Sequence, residues 1–454
     1  MYAILDDAAR RARAYLNGLN DRSVEASPAA VAALRQLDEA LPEGPSDAAE
    51  TLALLDRVVS PATLAIAGGR FFGFVIGGAL PGTLAANWLA GAWDQNAGLY
   101  AATPGVSYLE TVALRWLVDL FELPSGTGGA FTTGATVANF TALAAARNAV
   151  LARVGWNVEA HGLFAAPPIV VITGEEAHPT LLKSLGMLGL GRARIVRVPV
   201  DGAGRMRADA LPAIKGPTIL CLQAGNVNTG AFDPFEALIA PARAQGAWVH
   251  VDGAFGLWAK AAPALRSLAR GLEQADSWAT DAHKWLNVPY DSGLALVRDA
   301  NALKAAMAIT AEYLPTESKE RNPSDFTPEL SRRARGVEVW TALRSLGRVG
   351  LAEMFERNCR QARCFAAGLA AAGFEVLNEV VLNQVLVAFG APERTRRVIA
   401  AIQEEGTCWC GGTVWQGRTA MRISVCSWAT SDADVERSLA VMLRLGAQSA
   451  HIGG

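Results

Sequence analysis

Two periodicities divide this chain. Up to about residue 70 the apolar positions recur at helical spacing, predicting amphipathic helices over Asp7–Leu19, Pro28–Asp38 and Asp47–Val59. Gly68 and Gly69 break that pattern, and FFGFVIGGALPG follows, richer in aromatics and glycine than a connector needs. Such a stretch suits a surface that packs against a ligand or a subunit. Helices are predicted again from Thr83 toward Gly98 and from Ser107 to Phe121. From there short apolar runs alternate with helical ones. Strands are predicted at Ala130–Thr133, Ile169–Thr173, Ala193–Val198, Thr218–Gln223, Trp248–Asp252, Ser277–Thr280 and Gly293–Arg298. Helices are predicted between them at Val137–Leu151, His178–Leu188, Asp209–Ile214, Pro234–Gln245 and Pro263–Gln274. This alternation predicts a mostly parallel α/β sheet, whose ligands bind at the carboxyl ends of the strands. Thr133, Thr173, Asp252 and Thr280 fall there. The polar, proline-bearing segment Tyr313–Arg335 reads as a long loop, a helix starts at Gly336, and the remainder reads as a smaller α+β unit.

Composition narrows the class. A chain of 454 residues, 51% hydrophobic and 19% charged, suits a large enzyme with two or three structural units. Its net charge of −2, without a sustained basic block, argues against nucleic acid or an anionic membrane surface as partner. The longest apolar runs, such as GPTILCLQAG, are strand-sized rather than membrane-spanning. MYAILDDAARRARAYL reads as an amphipathic helix and not a secretory signal, so a cytoplasmic location is expected. Six cysteines in so long a chain do not suggest a disulfide framework, and Cys408 and Cys410 have the wrong spacing for a CxxC pair. No metal site is expected.

The chemistry concentrates between His250 and Ser292. HVDGAFG ends a predicted buried strand in an acid, and ADSWATDAHKWLNVPYDSG places Lys284 directly after His283. An acid at a strand end and a lysine with apolar neighbours (Trp285, Leu286, Val288) suit pyridoxal 5′-phosphate, which needs a lysine Schiff base and an acidic partner for its pyridinium nitrogen. Ala254 follows Asp252 by two positions and would point to the same side. In GAFTTGATVANFTALAAARN a strand, a turn at Gly134-Ala135-Thr136 and an alanine-rich helix present backbone N–H groups at a helix N-terminus, a geometry that binds phosphate. His178 in EEAHPT and His283 both fall at strand ends on the ligand side, whereas His161 and His451 lie in loop or tail. His250, inside its strand, reads as a satisfied core residue.

Together these residues resemble the group II pyridoxal-phosphate-dependent amino-acid decarboxylases, of the aspartate-aminotransferase fold (fold type I). The resemblance runs from FFGFVIGGALPG through ELSRRARGVEVW, and DAHKW following VDGAFG is its most specific part. It implies a helical dimerisation segment over residues 1–80, a cofactor-binding α/β domain with a seven-stranded sheet over 81–345, and a small α+β domain over 346–454. It also implies a homodimer with its active site at the subunit interface. Carried over by position, Lys284 would form the Schiff base, Asp252 would pair with the ring nitrogen, and Ala254 would pack under the ring with His178 stacked opposite. Ala135, Thr136 and His283 would bind the phosphate. Asn226, in AGNVNTG, stands where the family often has a threonine near the ring hydroxyl. Val137 stands where an acid is common, and Asp281 where aromatic decarboxylases often have a phosphate-contacting asparagine.

The implied reaction is decarboxylation of an L-amino acid to an amine, with the scissile bond selected by the side chains that grip the substrate. Phe72, Trp93 and Tyr100, with Phe74, come from the segment that lines the pocket in relatives and favour an apolar or aromatic substrate; filling a subunit interface explains them equally well. Aromatic decarboxylases of the family protonate Cα with a loop tyrosine. Here that position falls near Pro323, with Phe326 beside it and Tyr313 the nearest preceding tyrosine. Aldehyde-forming oxidative deamination or transamination on the same scaffold is therefore the alternative. Binding without turnover is a third reading, against which the full set of Lys284, Asp252 and His178 argues.

Overall fold

The computed structural model describes residues 2–309 and 320–449. The chain forms two compact units. The first comprises Met1–Gly78, Gln361–Leu377 and Val385–Gly454, and the second comprises Ala79–Arg360 and Asn378–Gln384. The N-terminal helices and most of the C-terminal α+β part thus belong to one unit.

The second unit is built on seven strands: β1 (Gly128–Thr132), β2 (Val170–Gly174), β3 (Val196–Val198), β4 (Thr218–Gln223), β5 (Trp248–Asp252), β6 (Ser277–Asp281) and β7 (Gly293–Val297). Their order is β1-β7-β6-β5-β4-β2-β3. Pairing is parallel from β3 through β6, and β7 runs antiparallel to both its neighbours, β1 and β6. The seven-stranded, mostly parallel sheet expected from the apolar runs is present. β5, β6 and β7 are buried along their whole length, which is why they read as continuous apolar runs rather than alternating ones.

Helix Ala135–Ala152 crosses this sheet against β5, β6 and β7. Its alanines explain how closely it lies: Ala138, Ala142, Ala145 and Ala146 are fully buried, and larger side chains would hold the helix off the strands. Two predicted helices are not there. Asp209–Ile214 holds only the 3₁₀ turn Ala208–Ala210, because Pro212 restricts Leu211, which turns extended at ψ 122°. Pro263–Gln274 is two 3₁₀ turns, Arg266–Ala269 and Leu272–Gln274, separated by Gly271 at φ 84°.

In the first unit, helices Ala3–Asn17, Pro28–Ala33 and Ala48–Val59 precede the glycine-aromatic stretch. A second sheet has the order β10-β11-β9-β8, from β8 (Glu375–Val376), β9 (Gln384–Ala388), β10 (Gly411–Trp415) and β11 (Arg418–Ser424). Phe71 stacks on Trp409 with ring centroids 5.0 Å apart, and Phe74 lies 5.2 Å from the same ring. A Cβ on Gly73 would sit 2.3 Å from that indole, so only glycine fits there. Cys408 and Cys410 flank Trp409 and are fully buried. Among the described residues no helix is long and apolar enough to cross a membrane.

Candidate active site

Three neighbouring chain segments meet at the carboxyl edge of the large sheet. β5 ends in Asp252, in register with Ala279 of β6. Just beyond, the Asp281 N–H donates to the Ala254 carbonyl at 2.8 Å, tying the turn after β5 to the end of β6. Gly256 makes this turn possible, since a Cβ there would lie 2.2 Å from the Ala224 carbonyl oxygen. Lys284 follows in a tight turn whose neighbours Trp285, Leu286 and Val288 are buried. Its own side chain keeps 20% of its surface exposed, and its amine lies 2.9 Å from Asp281 Oδ2.

The third segment is the turn into helix Ala135–Ala152. Its N-cap, Gly134, has no side chain to offer, and Asp281 supplies the acceptor instead: its Oδ1 takes the Ala135 N–H at 2.5 Å. A Cβ on Gly134 would stand 3.1 Å from His283 Cε1, and one on Gly293 would fall 2.4 Å from Gly134 Cα, so two glycines let the turn settle onto β7 and His283. The Thr136 carbonyl accepts from Ser184 Oγ at 2.8 Å, fixing the turn from the other side. His283 Nδ1 accepts from the Ser292 N–H at 3.0 Å, which leaves the ring proton on Nε2, 3.4 Å from Asp281 Oδ1. Burial holds this imidazole below its ordinary pKa, against the pull of Asp281.

Asp252 is buried and accepts from two donors, Asn139 Nδ2 at 3.2 Å and its own turn's Ala254 N–H at 3.2 Å. Burial pushes its carboxyl up, while the charges of His178 and Lys284 and the Asn139 contact pull it back. A cation placed beside it would complete that compensation. His178 caps helix Pro179–Met187, with Nδ1 accepting from the Thr180 N–H at 3.3 Å and 2.6 Å from Thr180 Oγ1. With Thr173, Leu181, Gln223 and Asp233 it lines a small cavity that reaches Asp252.

Asn226 is buried, and its Oδ1 accepts from the Asn228 and Thr229 N–H groups at 2.8 and 3.2 Å. Its Nδ2 has no partner among the described residues. An orphaned buried donor costs about 1–3 kcal/mol unless something accepts from it. That donor, the Asp252 acceptor, the Lys284 amine and the N–H groups of the 134–136 turn match the chemistry of pyridoxal 5′-phosphate, with its ring oxygen, ring nitrogen, aldehyde and phosphate. The residues present therefore fit the group, with the carboxylate of Asp281 in the phosphate turn as the one discordant charge.

The substrate residues expected from the sequence are placed differently from one another. Phe72, expected in the pocket, is fully buried in the first unit, edge-to-face with Phe365 at 5.1 Å, so its ring has a packing role. In the second unit Trp93 ends helix Pro81–Trp93 and is 47% exposed, and the Tyr100 N–H donates to Asn322 Oδ1 at 3.0 Å. Tyr313 and His451 lie outside the described residues. Pro323 and Phe326 bound a 3₁₀ turn, with the Arg321 guanidinium 4.4 Å over the Phe326 ring. Asn139 was not singled out by the sequence, although a buried amide in an alanine-rich helix five residues past the turn was a signal to follow.

Comparison with known proteins decides the family. A model of the pyridoxal-dependent decarboxylase conserved domain matches residues 31–391. The chain belongs to that family. It is similar to the aromatic-L-amino-acid decarboxylase of Bacillus atrophaeus, 28% identical over 345 residues, or 73% of this chain and 70% of that one. Similarity extends to the L-2,4-diaminobutyrate decarboxylase of Rhizobium meliloti (30% identical, 78% and 73% covered) and to the phenylacetaldehyde synthase of Arabidopsis thaliana (26% identical, 75% and 74% covered). The crystal structure of Oryza sativa TDC with PLP and tryptamine shares the fold, with a TM-score of 0.90 at 23% identity over 98% of this chain and 97% of that one. This decarboxylase is accordingly a pyridoxal-phosphate enzyme of fold type I, a lyase of amino-acid metabolism.

Proposed function

We propose that this decarboxylase removes CO₂ from an L-amino acid with an apolar or aromatic side chain, releasing the amine, and that it does so as a homodimer. The observation that carries the reading is the placing of Lys284 and Asp252 at the ends of adjacent strands, each held by named partners. Bound between them, pyridoxal 5′-phosphate supplies an electron sink for the bond broken at Cα. Lys284 brings the amine that holds the aldehyde, and the Ala135 N–H, Thr136 and His283 Nε2 face the phosphate end. Asp252 holds a proton on the ring nitrogen by its charge, and Asn226 Nδ2 offers a hydrogen bond to the ring oxygen. His178, with Nδ1 engaged by Thr180, has its ring proton on Nε2 and can hand it to Cα. Trp93 and Tyr100 favour an apolar or aromatic side chain.

A second reading has its own support. Similarity to a phenylacetaldehyde synthase as well as to decarboxylases, together with the lack of a tyrosine near Pro323, where aromatic decarboxylases carry a protonating one, favours an aldehyde product, with dioxygen as oxidant and CO₂, ammonia and hydrogen peroxide released. Mass spectrometry of products from cofactor-loaded protein and a panel of L-amino acids in air separates the two. Amine without matching aldehyde or 2-oxo acid supports decarboxylation. Aldehyde or oxo acid as the main product overturns it. Sedimentation equilibrium tests the homodimer, and a monomer that turns over at full rate removes that part of the proposal.

A further inference from the structure

Asp281 holds together three of the groups that a cofactor phosphate and aldehyde would need, Ala135, His283 and Lys284. Its Oδ1 accepts the Ala135 N–H at 2.5 Å at the start of an 18-residue helix and lies 3.4 Å from His283 Nε2. Its Oδ2 lies 2.9 Å from Lys284 Nζ. The residue is anchored through its backbone. It is 2% exposed, its N–H is bound to the Ala254 carbonyl at 2.8 Å, and its own carbonyl accepts from Trp258 Nε1 at 2.9 Å. On the far side stands Gly134, whose Cβ, were there one, would lie 3.3 Å from Oδ1. An anion is thus fixed at the positive end of the helix, where a phosphate also has to bind.

We propose that Asp281 is an internal competitor of the cofactor's phosphate, a chain-borne carboxylate that binds the phosphate turn and Lys284 and so sets a weaker phosphate grip in this enzyme. Two anions cannot share one N–H donor and one helix end without one of them moving or taking a proton, and like charges so placed cost several kcal/mol. An asparagine at this position would keep the hydrogen-bonding shape without the charge. In this chain the phosphate has to displace Asp281 from Ala135, while Lys284 keeps a carboxylate beside its amine. The inference rests on the cofactor site described above.

The test compares wild-type protein with Asp281→Asn, full-length, by equilibrium dialysis with pyridoxal 5′-phosphate and with pyridoxal, which lacks the phosphate. The ratio of the two dissociation constants isolates the phosphate, because any change at Lys284 acts on both ligands. Removing the charge should raise the preference for the phosphorylated ligand by about tenfold or more. Inorganic phosphate should also bind the cofactor-free variant more tightly than the cofactor-free wild type in direct dialysis. A ratio that is unchanged or lower overturns the proposal. Should Asp281→Asn not fold, Asp281→Ser removes the same charge with a smaller polar side chain and carries the same expectation. Borohydride trapping followed by peptide mapping keeps the two readings apart. Cofactor trapped on Lys284 with an unchanged ratio refutes the role of Asp281 alone, whereas cofactor trapped on another lysine refutes the site itself.

Discussion

Asn139 holds Asp252 by a hydrogen bond 3.2 Å long, and the same amide is in turn oriented by the core. Its Oδ1 lies 2.8 Å from His250 Nε2, His250 Nδ1 lies 2.9 Å from Ser277 Oγ, and Ser277 Oγ accepts from Trp248 Nε1 at 2.8 Å. An indole N–H can only donate. The Asn139 Oδ1 can only accept, so with a neutral imidazole polarity runs one way along the chain: Trp248 donates to Ser277, Ser277 to His250 Nδ1, His250 Nε2–H to Asn139, and Asn139 to Asp252. Asp252 is thus tied through Asn139, His250 and Ser277 to a tryptophan at the far end of its own strand.

Replacing Asn139 by alanine cuts this chain at its last link. Asp252 loses its side-chain donor and His250 Nε2 its acceptor, both inside the core. A hydrogen bond to a charged group contributes about 1.5–3 kcal/mol. Asn139→Ala should bind pyridoxal 5′-phosphate about tenfold or more weakly and shift the absorbance of the bound cofactor, as measured by spectrophotometric titration. Unchanged affinity and spectrum would show that Asp252 needs no such support.

Lys284→Ala should abolish covalent retention of the cofactor. After borohydride reduction, intact-mass measurement should show the added cofactor mass on the wild type and none on the variant. Turnover should fall at least about 10³-fold, since the amine acts in a unit with the groups around it. Comparable labelling of the variant would move the attachment point to a different lysine.

Much of the fold was legible because its strands are buried on both faces. β4 and β5 match the predicted runs Thr218–Gln223 and Trp248–Asp252 to the residue, and the sequence placed Asp252 and Lys284 at strand ends by simple counting. What could not be read were contacts made across the sheet. Asn139 and His250 are 111 residues apart, and no periodicity joins them. The role of Asp281 as the cap of a distant helix was not legible either, because it depends on β7 bringing Gly293 against Gly134. Phe72 is the one expected pocket aromatic that lies fully buried. An aromatic stretch looks the same whether it faces a substrate, as was expected of Phe72, or fills a core, as Phe72 does.

Glu110 should be a stability residue rather than a catalytic one. It is buried between two arginines, with Oε1 2.8 Å from Arg321 and Oε2 2.8 Å from Arg332, and those arginines donate on to the Gly129 and Phe131 carbonyls of β1. The two guanidinium groups hold its carboxyl below the usual range despite complete burial. Glu110→Gln leaves both arginines without their counter-charge, which costs about 3–5 kcal/mol. Urea denaturation should show that loss, and a variant as stable as the wild type would mean the arginines find other partners.

His250 makes the last case, through pH. Its imidazole is bonded at both nitrogens and fully buried, and burial pulls its pKa down to about 3 from the ordinary 6.5. The folded form thus holds a neutral ring across the range in which the unfolded chain takes up a proton. The contribution to stability is complete above pH 6.5 and is lost as pH falls toward 3. Between pH 7 and 5 this should remove about 2 kcal/mol. Asp233 works in the opposite sense: burial raises its carboxyl to about 6, so the folded form gains stability as pH falls through that value. The wild-type curve alone mixes the two, and the comparison with His250→Gln separates them. The variant should be less stable at pH 7, with its deficit shrinking by about 2 kcal/mol at pH 5 in parallel urea titrations. A deficit that stays constant with pH would mean that His250 takes up its proton as readily in the folded protein as in the unfolded chain, and the one-way polarity that ends at Asp252 would fall with it.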